Sequence, residues 1–125
     1  TRLTPERSGL WMSLARVELE QGDLAGATAD LEGGLPHAGN SPEYHGFYAA
    51  LLQRAQRHED AVAHYVQALR GDPAMPSWLV GIGISLQALG RPTEALEAFQ
   101  RARDSGRLNG SLQDFVNGRI EQMRH

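Results

Sequence analysis

Shifted against itself by 34 residues, the sequence lines up small side chains with small ones and large with large. Ala27, Ala61 and Ala95 share one column, Leu31, Tyr65 and Phe99 stand four positions on, and Gly34, Ala68 and Ala102 three further. Upstream, Ala15, Ala49 and Gly83 align, as do Leu14, Tyr48 and Ile82, while Gly22, Gln56 and Gly90 form a turn column. Small, then large four later, then small again three beyond, lies along one face of an α-helix. Two antiparallel helices that cross closely need that order, with the small side chain at the contact and the large one in the adjoining hollow. The period therefore predicts stacked helical hairpins, each burying its apolar face only against its neighbours.

The punctuation agrees. Thr4-Pro5-Glu6 and Ser41-Pro42-Glu43 each read as an N-cap, a proline at the first helical position and an acid in the first turn. Pro73 and Pro76 bracket another start, and Pro92 opens a helix just after Gly90, a natural left-handed C-cap. The pattern predicts helices near 5–20, 24–35, 42–56, 58–70, 76–89 and 92–104, and no stretch alternates with the period of two that marks a strand. After Asn109-Gly110-Ser111, the residues Leu112, Phe115, Val116, Ile120 and Met123 make one apolar stripe. Gln113, Asp114, Asn117, Arg119, Glu121 and Arg124 fall on the other side. Such a helix covers the flank that a last repeat leaves open, or it binds a partner.

Composition narrows the function. At 125 residues the chain suits one domain. Its 12 basic and 15 acidic side chains leave a net charge of −3, which speaks against a nucleic-acid binder. There is no cysteine, so disulfide scaffolds, thiol catalysis and cysteine-bound zinc are excluded. No apolar run approaches the ~20 residues that cross a bilayer. The chain begins at Thr1 without an initiator methionine or signal peptide and is read as an excised domain.

The motifs resemble the tetratricopeptide repeat (TPR) family over most of the chain. They are Trp11-x-x-Leu14-Ala15 with Ala27-x-x-x-Leu31, then Ala61-x-x-x-Tyr65 with Ala68 and Pro73, then Leu79-x-x-Ile82-Gly83 with Ala95-x-x-x-Phe99. No single repeat carries the whole pattern. The resemblance implies an all-α fold, a right-handed α-solenoid of three TPR hairpins plus a C-terminal capping helix. It is taken as one domain over 1–125, with repeats at about 8–40, 42–74 and 76–107 and the cap at 111–124. The runs Leu51–Ala61 and Trp78–Leu86 and the terminal helix also resemble the C-terminal region of MSHA-type (MshN-like) pilus biogenesis proteins. Those are bacterial, anchored in the inner membrane, with the TPR region in the periplasm.

The family's first helices line a concave surface. Carried across repeat by repeat, its groove positions fall on Met12, Arg16 and Leu19, on Phe47, Ala50, Gln53 and Arg54, and on Val80, Ile84 and Gln87. Met12, Phe47, Val80 and Ile84 offer apolar contact, and Arg16 and Arg54 offer cations for an acidic group or a carbonyl. The alternative is that Met12 and Leu19 pack between repeats, or that the terminal segment fills the groove. A TPR subclass grips a C-terminal carboxylate with lysine, asparagine and arginine. Here the matching positions hold Met12, Arg16, Phe47 and Ala50, and lysine is lacking, which argues against a chaperone-tail adaptor.

Chemistry is harder to find. His37, His45, His58, His64 and His125 are scattered, and His58-Glu59-Asp60 lacks the second histidine of a zincin pair. Half-buried packing is expected of His45, and a repeat junction of Trp78. Gly81-Ile82-Gly83 falls inside a predicted helix with no preceding strand, so it is no phosphate loop. Close helix approach explains Gly83, and Gly81 is read as exposing backbone to the groove. Ser13 and Ser85 stand in no recognisable triad. The reading is a scaffold without catalytic residue, cofactor or metal, a monomer or weak homodimer that binds a protein or peptide segment and no nucleic acid. It belongs in envelope or type IV pilus assembly, with membrane contact only through an anchor outside the chain. The alternatives are a cytosolic TPR adaptor or a self-association module.

Overall fold

Helices follow one another as α1 (Thr4–Glu20), α2 (Leu24–Ala38), α3 (Pro42–Arg54), α4 (His58–Leu69), α5 (Pro76–Ala88), α6 (Pro92–Asp104) and α7 (Gly110–Met123). The computed structural model describes residues 4–124, with side chains from Gly9 onward, and no strand occurs among the described residues. The cap expected at Thr4-Pro5-Glu6 falls on side chains outside that range. Ser41 does cap α3, its Oγ accepting from the Tyr44 amide at 3.3 Å, and Asp23 caps α2, its Oδ1 accepting from Gly26 at 2.8 Å.

The turn column is a repeated backbone device. Gly22, Gln56 and Gly90 hold φ of 81°, 66° and 74°. In each turn the next amide reaches back five residues: Asp23 to Glu18 O, Arg57 to Leu52 O and Arg91 to Leu86 O, at 2.8, 2.8 and 3.0 Å. This left-handed stop reverses the chain in a few residues and folds each second helix back on its first.

The predicted columns are the hairpin cores. Ala27, Ala61 and Ala95 are fully buried, as are Leu31, Phe99, Ala68 and Ala102, with Tyr65 nearly so. Four helical glycines each make room for an aromatic ring: Gly34 for Tyr44 and Trp11, Gly46 for Trp78, Gly81 for Tyr65 and Gly83 for Phe99. A Cβ at any of them would run into the facing ring. Gly81 is thus buried, contrary to the expectation that it opens backbone to the groove, because Tyr65 lies against it.

Successive hairpins are joined by α2 on α3 and α4 on α5, and the first helices also meet directly, α1 with α3 and α3 with α5. No comparable packing joins α2 to α4 or α4 to α6 among the described residues. First helices that touch while second helices splay give a stack with an inner wall made of α1, α3 and α5. Tyr44 fixes one junction, its hydroxyl donating to the Leu31 carbonyl at 2.6 Å. Burial pushes the Tyr44 and Tyr65 hydroxyls up to about 12.

The structure departs from the sequence pattern at three places. Helix α2 runs through Pro36 to Ala38 instead of ending at 35. Proline has no amide to donate to the Glu32 carbonyl, so α2 passes it one hydrogen bond short and ends two residues later. Leu14 is not core like its column mates Tyr48 and Ile82 but 47% exposed, because among the described residues no helix packs on that face of α1 as α2 packs on α3 and α4 on α5. Arg119 does not face water: its Nη1 donates to Gln87 Oε1 at 2.9 Å, and its guanidinium lies over Phe115.

The last helix continues the 34-residue period, with Val116 and Ile120 one period beyond Ile82 and Leu86 and buried on α6. Gln113, Asp114 and Asn117 are exposed where the earlier repeats hold Leu79, Val80 and Gly83. It is a first helix whose second-helix face has turned polar, which ends the stack.

Candidate partner-binding wall

The ten residues expected to line the groove lie on α1, α3 and α5, but not all reach its surface. Arg16 and Arg54 are exposed; Met12, Leu19, Phe47, Ala50 and Ile84 are half-buried. Val80 is 4% exposed and belongs to the hydrophobic core, which corrects its reading as a groove residue; its column mate Gly46 is likewise buried, against Trp78 of the next first helix. Gln53 is tied inward, its Nε2 donating to Gly81 O at 2.7 Å and Ser85 Oγ at 2.9 Å. Gln87 is held by Arg119 of α7.

What remains open is an apolar strip with cations at its edge. The Arg16 guanidinium lies 5.2 Å from the centroid of the Phe47 ring, so α1 and α3 meet in a cation–π contact. Neither Arg16 nor Arg54 pairs with a carboxylate among the described residues. Their charges are therefore available to an incoming carboxylate or carbonyl.

A Ser–His contact escaped the sequence reading. His58 Nε2 lies 3.3 Å from Gln56 Oε1, which can only accept, so a neutral His58 carries its proton there. Its Nδ1, 2.9 Å from Ser85 Oγ, then accepts the serine proton. That is half of a nucleophile arrangement, but Ser85 is fully buried and an amide, not a carboxylate, orients the histidine. The contact pins α4 to α5 instead. Among the described residues no group of three or more His, Asp or Glu could hold a metal ion, and no helix is long and apolar enough to cross a membrane.

A hollow of about 400 Å³ lies between α4 and α6, away from the wall of first helices. Val62, Val66, Leu69, Ile82 and Leu86 line it, and Arg91 and Glu94 pair at its edge at 2.6 Å. The sequence signal for it is Val66 itself, an apolar residue in a column otherwise held by Glu32 and Gln100.

Stacked helical hairpins with a free inner wall define a solenoid of the protein-interaction class. Residues 49–109 match the tetratricopeptide repeat family, and the fold of the chain is that of TPR domains. No curated protein matches. The TPR2AB domain of yeast Sti1, solved as a pHSP90 complex, is 18% identical with a TM-score of 0.83. The match covers 97% of this chain and 48% of that one, so this chain spans about half its length. The second TPR domain of human RPAP3, solved with an HSP70 peptide, is 14% identical over 98% of both chains, TM-score 0.83. The Yersinia enterocolitica type III secretion chaperone SycD, in complex with a peptide of the translocator YopD, is 15% identical, TM-score 0.82, covering 93% of this chain and 91% of that one. At these identities the likeness is one of fold.

Proposed function

We propose that this chain is a non-catalytic scaffold that holds a segment of another protein along the wall of α1, α3 and α5. One observation carries the reading: Phe47 and Ile84 remain partly exposed on first helices, flanked by Arg16 and Arg54, which have no acidic partner among the described residues. Apolar surface edged by unpaired cations suits an amphipathic segment, its apolar side on Phe47 and Ile84 and an acid or carbonyl on arginine. The structural neighbours named above bind peptides, which supports the class of ligand. Without lysine, and with Met12 and Phe47 in the clamp positions, the wall suits an internal apolar anchor better than a terminal carboxylate.

The MshN-like resemblance supports a finer proposal, a periplasmic TPR region in envelope or type IV pilus assembly. The test is capture from a bacterial envelope extract. Phe47→Glu with Ile84→Glu abolishes it at unchanged helical content, and undiminished capture by the folded double variant rules the wall out.

A further inference from the structure

Glu18 of α1 and Asp30 of α2 face each other across the first hairpin, in columns that hold Leu52 and His64 in the second repeat and Leu86 and Ala98 in the third. Glu18 Oε1 and Asp30 Oδ2 are shielded from solvent, and no donor among the described residues reaches either. Two carboxyl groups so placed can be joined only by a proton that one of them carries. Without it, two negative charges stand opposed where water screens them poorly.

Nothing nearby neutralises that charge. From α2, the N-cap Asp23 adds to it, Glu32 is exposed, and His37 lies beside Leu10 and Trp11. From α3, Tyr44 lies close to Asp30 but donates its hydroxyl to Leu31. His45 and Tyr48 turn to His64 of α4, and Glu43 and Arg54 are exposed. On α1 itself, Arg16 lies over Phe47 and Glu20 is exposed. No cation pairs with Glu18 or Asp30 among the described residues. Helix α1 is also the wall helix with least to hold it: it packs on α2 and more lightly on α3, whereas α3 is packed by α1, α2, α4 and α5.

We infer that this pair is a proton-held latch: protonated, it docks α1 on α2, and doubly charged, it loosens α1 and draws Met12, Arg16 and Leu19 off the wall. The consequence for binding rests on the wall being the partner site; the latch itself does not. The hydrogen bond to Asp30 first, then burial and the charges of Asp30 and Asp23, push the Glu18 carboxyl up from 4.5 to about 7. Docking is therefore full below the ordinary value and is lost as pH rises through about 7. A partner that needs α1 in place is held in mildly acidic surroundings and released in mildly alkaline ones.

The two tryptophans report on this separately, for Trp11 lies on Gly33 and Gly34 of α2, and Trp78 on Gly46 of α3. In the whole chain labelled with fluorotryptophan, the Trp11 fluorine resonance should move toward its unfolded position between about pH 6 and pH 8.5, while that of Trp78 stays. Glu18→Gln and Asp30→Asn should each hold Trp11 at its acidic position throughout. A Trp11 signal indifferent to pH overturns the latch, as does a shift that survives both substitutions or one that Trp78 shares. Photo-cross-linking to a partner from Phe47 should fall several-fold over the same range, and not in Glu18→Gln. No cross-link at either pH overturns the wall and leaves the latch to Trp11. Equal cross-linking at both, with Trp11 released, overturns the coupling between them.

Discussion

The Nδ1 atoms of His45 and His64 lie 3.0 Å apart, with the rings stacked, and join α3 to α4. His45 Nε2 is 3.2 Å from the Gly39 carbonyl, which can only accept, so the neutral His45 proton is on Nε2. Its bare Nδ1 therefore accepts from the His64 Nδ1–H. A further proton goes on His64 Nε2.

Burial first, then electrostatic repulsion with His45, hold His64 below its ordinary value of 6.5, with Asp60 opposing. The unfolded chain takes up this proton more readily than the folded one, so stability is full above about 6.5 and declines as pH falls below it. Thermal melts between pH 7.5 and 5.5 should show that decline, and His64→Gln should flatten it. Both are best run in a Glu18→Gln background, for the reason that follows.

Glu18 of α1 faces Asp30 of α2, and the Glu18 carboxyl is pushed up to about 7. The hydrogen bond shared with Asp30 is the main cause, followed by burial and the negative charges of Asp30 and Asp23. Later repeats hold Leu52, Leu86 and Ile120 in this column, so an acid here stands in a core position. Raised in the folded state, the group supports folding fully below its ordinary 4.5 and withdraws that support as pH rises through about 7. Glu18→Gln should melt higher than the parent chain at pH 8 and equally at pH 4.5, measured by circular dichroism.

Gln56 takes the left-handed turn that glycine takes at Gly22 and Gly90. A side chain there strains the backbone, so Gln56→Gly should stabilise the protein by about 0.5–1 kcal/mol, the strain relieved exceeding the added freedom of the unfolded chain. Denaturant unfolding with an unchanged slope and a higher midpoint would show it.

The buried columns leave no room to grow. Ala61→Leu, or Gly83→Ala against the Phe99 ring, should each cost about 1–3 kcal/mol by overpacking a helix crossing. A melting temperature unchanged by either would mean that the hairpins do not pack as described.

The period of 34 residues made the hairpins, the turns and the buried alanines legible, because size at a helix crossing is a local demand that sequence must meet. Its blind spots are positions whose environment depends on what lies beyond the repeat. Leu14 matched its column and yet is exposed, since what packs against a helix face is not written in the residue itself. Val80 fell on a groove position by family spacing but is buried in the core. Gln53 and Gln87 looked free to bind; their amides are engaged by Gly81, Ser85 and Arg119, contacts between residues about 30 apart that periodicity cannot rank. The His45–His64 and Ser85–His58 pairs were hidden for the same reason.

The most direct test of the scaffold role places a photo-reactive phenylalanine analogue at Phe47 on the inner wall, and separately at Val66 beside the outer hollow. Irradiated with a native envelope extract, the Phe47 chain should cross-link to a partner protein and the Val66 chain should not. Cross-linking confined to Val66, or absent at Phe47 in a folded protein, would contradict the assignment of the inner wall as the binding surface.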